Sequence, residues 1–332
     1  MANIRVLSAA DLRRALPMPR AIAAMRHAFS ALDAGDVAMP VRVALPSAEG
    51  TTLFMPAADR STRRVGQKVV TVFGGNLARG LPTIHALVTL FDGETGEPLA
   101  LFEGATLTQL RTGAVSGLAT DLLARPECRT LTIFGAGAQA PAQIDAICAV
   151  RPIERINVIS RGPSAQRLAE RLQSTDSQRA YHAPSHVARA VQSADIIVAV
   201  TSSREPLFKS EWVQPGSHIN GVGAFRPDMQ EVDAQLIAQS TVIVDQREAA
   251  QVEAGELIIA AERGSWSWDC LYAELGALVN GHVPLPDHNG ITYFKSCGLA
   301  IQDLAAASAA LEVAEAEGLG QLIEMGPLTQ SR

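Results

Sequence analysis

The chain carries no CxxC pair. Its four cysteines, Cys128, Cys148, Cys270 and Cys297, are scattered, which excludes the spacing of a zinc site or a disulfide framework and fits a reducing, cytoplasmic setting. A basic excess is missing as well: 28 Lys and Arg stand against 34 Asp and Glu, a formal net charge of -6. That balance leaves no surplus to displace counterions from phosphates, so nucleic acid is not an expected partner. No run of eighteen apolar residues occurs, and the opening MANIRVLSAADLRR lacks an apolar export signal, so neither a membrane span nor secretion is expected. His27, His85, His182, His186, His218, His282 and His288 share no metal spacing with nearby Cys, Asp or Glu, and no metal site is expected.

What is present is the composition of an ordinary globular protein, 47% hydrophobic and 19% charged, over 332 residues. One core does not comfortably serve that length, so two domains are expected. Ser8 and Asp11 have the spacing of a capping box for a short helix that Pro17 stops, and Ile22, Met25, Phe29 and Leu32 recur at helical spacing in the helix that follows. From 41 to 104 the pattern changes to strands, VRVALP, TTLFMPA, VGQKVVTVF, TIHALVTLFD and EPLALFEG, separated by Gly, Pro and Asp turns. A long helix is predicted over 105–125, ending at Pro126. Beyond it strands at 130–134, 156–159, 196–200, 218–222 and 242–244 alternate with helices, the pattern of a doubly wound parallel sheet. A last, alanine-rich helix at 299–317 is expected to pack back on the first domain. The fold class is therefore α/β, with an α+β domain at 1–125 and 305–332 and a dinucleotide-binding domain of the Rossmann type at 126–304.

The dinucleotide assignment rests on TLTIFGAGAQA at 130–140. A buried strand passes directly into Gly135 and Gly137, which permit a tight turn and a close approach of backbone to pyrophosphate, and a helix N-terminus follows. The next strand, INVIS, ends at Ser160-Arg161 with no carboxylate for a ribose 2'-hydroxyl. A guanidinium beside a hydroxyl suits a 2'-phosphate, so NADP(H) is expected over NAD(H), which stays possible; a solvated surface arginine is the plainer alternative. The strand ending in Thr201-Ser202 delivers hydroxyls to the carboxyl edge of the sheet, where they meet cofactor or cap a turn. HINGVGAFRP brings Gly221, Val222 and Gly223 to the same edge, the glycines leaving room for a nicotinamide ring.

Five blocks, GQKVVTVF, LPTIHALVTLFD, LTQLRTGAVSGLAT, IFGAGAQA and FKSCGLAIQDLAAA, together with HINGVGAFRPDM, resemble the ornithine cyclodeaminase and mu-crystallin family over nearly the whole chain. The resemblance implies a homodimer whose first domain binds a small imino or amino acid and forms the subunit interface. Carried over by position, Arg42 and Lys68 hold the substrate carboxylate, and Thr83 and Arg111 meet the cofactor phosphates and ribose. Ala138 and Gln139 line the pyrophosphate, and Ser296 and Cys297 lie near nicotinamide and substrate. Each has a plainer reading: a surface strand residue for Arg42, a snorkelling lysine for Lys68, a helix-surface ion pair for Arg111, a small buried hydrophobe for Cys297. His85 shares a face with Thr83 by alternation and has two readings, a residue approaching the cleft and, preferred, a core histidine. Cyclodeaminases of the family place a water-activating aspartate where this chain has Phe225, and the nearest carboxylate, Asp228, is displaced by three residues. The resemblance is therefore to the imine-reducing branch, and implies NAD(P)H-dependent reduction of 1-pyrroline-2-carboxylate or 1-piperideine-2-carboxylate, with Lys68 or water supplying the proton. Ornithine cyclodeamination, dehydrogenation of alanine or N-methylamino acids, and non-catalytic binding of a small molecule are the alternatives.

Overall fold

The computed structural model describes residues 3–326, in two compact units. The first takes the residues up to Arg111 and those from Leu299 on; the second runs from Thr112 to Gly298. From sequence the boundaries are expected at 125/126 and 304/305; the first division instead falls inside a helix.

In the first unit the chain forms β1 (Asn3–Leu7), α1 (Ala9–Ala15), α2 (Met18–Asp33), β2 (Val37–Ala38), β3 (Val43–Pro46), β4 (Thr51–Asp59), β5 (Arg64–Val72), β6 (Ile84–Asp92), β7 (Pro98–Glu103) and the start of α3 (Gly104–Leu123). The capping box is present: Ser8 Oγ accepts from Asp11 N at 3.3 Å and the Asp11 carboxylate accepts from Ser8 N at 2.9 Å. β4, β5, β6 and β7 form an antiparallel run, as alternation and turns predict. β1 joins β7 in parallel and went unread, because five residues including Asn3 and Arg5 carry too short an alternation to register.

The pleat sorts the sheet into two faces. Met55, Lys68, Val88 and Phe102 stand opposite one another across four strands and all are buried. The neighbouring row, Val43, Phe54, Val69 and Leu87, faces outward, with Val43 58% and Leu87 53% exposed. His85 is exposed, on the same outward face as Leu87. That corrects the core reading: alternation shows which residues share a face, not which face is covered.

In the second unit β8 (Thr130–Phe134), α4 (Ala140–Val150), β9 (Arg155–Ile159), α5 (Ser164–Thr175), β10 (Ala180–His182), α6 (Val187–Gln192), β11 (Ile196–Ala199), β12 (His218–Gly221), α7 (Ala234–Ala238), β13 (Ser240–Val244), α8 (Arg247–Glu253), α9 (Gly255–Glu262), β14 (Ala273–Glu274), α10 (Leu275–Val279) and β15 (Ile291–Lys295) follow in order. The strands lie in the order β10-β9-β8-β11-β12-β15-β13-β14, all parallel. Chain order reverses between β8 and β11, which makes the carboxyl ends of those two strands the crevice where ligands of such sheets bind.

The chain then returns to the first unit with α11 (Ala300–Glu317) and β16 (Gln321–Glu324), the latter pairing antiparallel with β1. α11 packs against α2, β4, β5 and β6. The approach needs Gly66: a Cβ there would stand 2.8 Å from a methyl of Leu304 and 2.7 Å from the Thr89 carbonyl oxygen. Among the described residues no helix is long and apolar enough to cross a membrane.

Candidate active site

Two residues from Gly66 along β5, Lys68 points from the same face toward the first turn of α11. Its Nζ lies 2.7 Å from Asp303 Oδ2, and both side chains are almost wholly buried. Arg111, on α3, donates from Nε to Asp303 Oδ1 at 3.0 Å and from Nη1 to Gln302 Oε1 at 2.6 Å. One carboxylate thus holds two cations out of water. Isolated buried charge is expensive and stays only where it is paired, and a third cation lies nearby.

Arg42 is that third cation. It is half-buried, just ahead of β3 rather than within a strand, and close enough to push down the Lys68 pKa. Burial is the main cause of that depression, which brings Lys68 to about 8; Asp303 opposes it, and Arg111 and Arg42 add to it. The sign of the pH effect follows. In the free protein the ammonium is present below about pH 8 and lost above it, so kcat/KM for an anionic substrate is expected to fall as pH rises through that value. Lys68→Arg, charged throughout the range, is expected to abolish the limb; a wild-type profile flat from about pH 7 to about pH 10 would show that Lys68 does not carry the dependence.

Arg111 therefore stands beside Lys68 on Asp303, not on a helix surface. Thr83 lies outside the cluster: it is half-buried ahead of β6, where its carbonyl accepts from Phe73 N at 2.9 Å. Asp303 and Gln302 went unread, although their signal was available. An acidic residue in the alanine-rich run AIQDLAAASAAL, apolar on every side, has to meet a cation if the helix is buried.

In the second unit the glycine turn has the form its sequence demands. Gly135 has φ +110, and a Cβ would stand 2.5 Å from the Val200 carbonyl oxygen, so only glycine fits. At Gly137 a Cβ would meet nothing within 4 Å. The open backbone of Gly137 and exposed Ala138 lead into the N-terminus of α4, and Gln139 Oε1 is buried with no protein partner. Open backbone N–H groups at a helix start fit a dinucleotide pyrophosphate. β9 ends without a carboxylate: Ser160 Oγ lies 2.7 Å from Ser164 Oγ, and Arg161 is exposed.

The tips of β11 and β12 differ from expectation. A Cβ on Gly221 would stand 2.0 Å from the Tyr293 hydroxyl, and one on Gly223 2.0 Å from the Thr201 carbonyl oxygen. These glycines leave room for protein packing, not for a nicotinamide ring. Val222 is half-buried and donates to the Ala199 carbonyl at 2.8 Å, while Ser202 is exposed. Thr201 is occupied by the buried carboxylate of Glu231, which accepts from its N–H and its hydroxyl.

A second buried carboxylate, Asp245, accepts from Cys297 N at 2.6 Å, Gly298 N at 2.8 Å and Ser296 Oγ at 3.5 Å. Ser296 is thereby fixed beyond the end of β15. Cys297 lies in the hydrophobic cluster with Phe134, Ile219 and Tyr293, and burial raises its thiol pKa well above the usual range. Its placement fits the plainer reading, a small buried hydrophobe. Phe225 is 44% exposed, and Asp228 is exposed and ion-paired with Arg204 at 2.9 Å and Arg226 at 3.2 Å. Asp228 is thus a surface charge.

The family model for the ornithine cyclodeaminase/mu-crystallin family matches residues 3–318. A Delta(1)-pyrroline-2-carboxylate reductase of Bacillus cereus is 40% identical over 324 residues, 96% of this chain and 99% of the relative. The structure of the Thermococcus litoralis Delta(1)-pyrroline-2-carboxylate reductase in complex with NADH and L-proline superposes with a TM-score of 0.91 at 35% identity, covering 96% of this chain and 100% of that one. An archaeal alanine dehydrogenase dimer with bound NAD gives a TM-score of 0.90 at 32% identity, covering 98% and 100%.

Proposed function

The chain belongs to the ornithine cyclodeaminase/mu-crystallin family, and from that premise we propose that it reduces a cyclic ketimine acid, 1-pyrroline-2-carboxylate or its six-membered homologue 1-piperideine-2-carboxylate, to L-proline or L-pipecolate. The observation that carries this reading is the buried Lys68–Asp303–Arg111 cluster, whose positive excess takes a carboxylate. Reduced nicotinamide, when bound, supplies the hydride. The chain's own residues do the rest: Lys68, Arg111 and Arg42 clamp the substrate carboxylate and so orient the planar imine, which is where most of the acceleration arises. With its pKa near 8, Lys68 also holds a proton it can give up at neutral pH. On the segment after β12 Phe225 fills the aspartate's place, Asp228 is tied up in surface ion pairs, and the Glu231 carboxylate is engaged by Thr201, Gly223 and Ala224. That supports reduction over deamination.

The direct test is oxidation of reduced cofactor with 1-pyrroline-2-carboxylate, with chiral identification of the product. Turnover to L-proline supports the proposal; ammonia release from ornithine with no turnover of the imine overturns it.

The cofactor would be held at Gly135, Gly137, Ala138 and Gln139, and NADP(H) preference is part of the proposal. Ser160 and exposed Arg161 end β9 where a carboxylate would select the 2'-hydroxyl. Arg161→Asp is expected to shift the NADPH-to-NADH ratio of kcat/KM by about 10- to 100-fold toward NADH. An unchanged ratio removes Arg161 from the assignment.

Homodimerisation through the outward face of the first unit's sheet is supported by its exposed Val43, Leu45 and Leu87.

A further inference from the structure

Glu231 lies between β12 and α7 yet is fully buried. Its Oε1 accepts from Thr201 N at 2.6 Å and Thr201 Oγ1 at 2.8 Å; its Oε2 accepts from Gly223 N at 2.7 Å and Ala224 N at 3.1 Å. Each oxygen serves a different loop, one leaving β11 and the other leaving β12, at the carboxyl edge where a dinucleotide lies on such a sheet. The loops interlock, since a Cβ on Gly223 would stand 2.4 Å from Thr201 N and 2.6 Å from Glu231 Oε1. Thr201 Oγ1 extends the chain by accepting from Ser203 N at 3.1 Å. Three of the four are backbone N–H groups that can only donate and the fourth is the Thr201 hydroxyl, so the ionised carboxylate satisfies every one of them, whereas a protonated one would have to turn that hydroxyl from donor to acceptor.

We propose that Glu231 is a positioning residue for the cofactor: its carboxylate sets the backbone after β11 and β12 on which the dinucleotide rests, and its ionisation sets cofactor affinity. This rests on the reading of the second unit as a dinucleotide site. The charged groups facing Glu231 are Lys295 of β15, which favours the ionised form, and Glu256 of α9, which opposes it. Burial, with Glu256 acting in the same direction, outweighs Lys295 and the Thr201 hydrogen bonds and pushes the carboxyl up to about 7. The anchoring form is therefore present above about pH 7 and is lost as pH falls through it.

Direct fluorescence titration of NADPH tests this, alongside steady-state kinetics with the cyclic imine, for the native protein, Glu231→Gln and Glu231→Asp between about pH 6 and about pH 8.5. The native Kd for NADPH is expected to weaken as pH falls. Glu231→Gln offers a donor where Gly223 and Ala224 need an acceptor, so its Kd is expected to be about tenfold weaker at the upper pH and flat across the range, with KM for the imine within about twofold. Glu231→Asp keeps the charge and is expected to retain the pH dependence with a displaced midpoint. If Glu231→Gln does not fold, the aspartate variant decides: weaker binding with a moved midpoint supports the proposal. Native affinity and midpoint in either folded variant overturn it, as does a loss that falls equally on imine and cofactor. A native protein that binds NADPH with this pH dependence but leaves the imine unreduced would overturn the reductase reading and leave this inference standing.

Discussion

Replacing Lys68 by methionine is expected to lower kcat/KM for the cyclic imine by roughly 10³-fold, the scale set by losing one partner of a desolvated charge pair. Methionine conserves most of the volume, so Met55, Val88 and Phe102, which stand in register around Lys68, keep their packing. Asp303 keeps Arg111 as its partner at 3.0 Å. The loss should therefore fall on substrate and not on the fold: KM for the imine rises and kcat falls, while the Kd for NADPH stays within about threefold of native. Lys68→Arg restores the charge but not the compact ammonium, and is expected to recover part of the activity. A methionine variant that turns over at the native rate would remove the clamp from the account.

Asp303→Asn is expected to act on both stability and pH dependence. The carboxylate is the counter-charge for Lys68 and Arg111, all three nearly inaccessible to solvent. Breaking such a network leaves uncompensated cations indoors and costs about 3–5 kcal/mol, read as a melting temperature lower by roughly 10 °C. The kinetic effect has a fixed sign. Asp303 supports the charged form of Lys68 against burial and the two arginines, so its neutralisation moves the lysine pKa below 8 and the alkaline limb of kcat/KM with it toward lower pH. An asparagine variant with the native melting temperature and the native pH profile would contradict both halves.

What was legible in the sequence was whatever depends on local pattern. The strand–glycine–helix turn at Gly135 and Gly137 is found as read, because its conformation follows from chain geometry alone. Arg42 and Lys68 came from the family resemblance, and for Lys68 the apolar strand residues around it add that a buried cation asks for an anion. Less legible were the carboxylates that organise each site. Asp303, Glu231 and Asp245 act through partners distant in the chain, with 192 positions separating Arg111 from Asp303. No local pattern brings those partners together; only the sheet order and the return of α11 do. The same cause lies behind the misplaced role of Gly221 and Gly223, whose missing side chains make way for Tyr293, Thr201 and Glu231. The plainer reading of Cys297 fits its position, since a thiol among buried apolar residues has no reason to ionise.

The most direct measurement is a crystal structure of the protein with NADPH and pyrrole-2-carboxylate, a planar analogue of the imine acid. The analogue's carboxylate is predicted within hydrogen-bonding distance of Lys68 Nζ and the Arg111 guanidinium, with Arg42 turned toward it and Asp303 still joining the first two. An analogue bound with its carboxylate elsewhere, while Lys68 and Arg111 remain paired to Asp303 alone, would contradict the account.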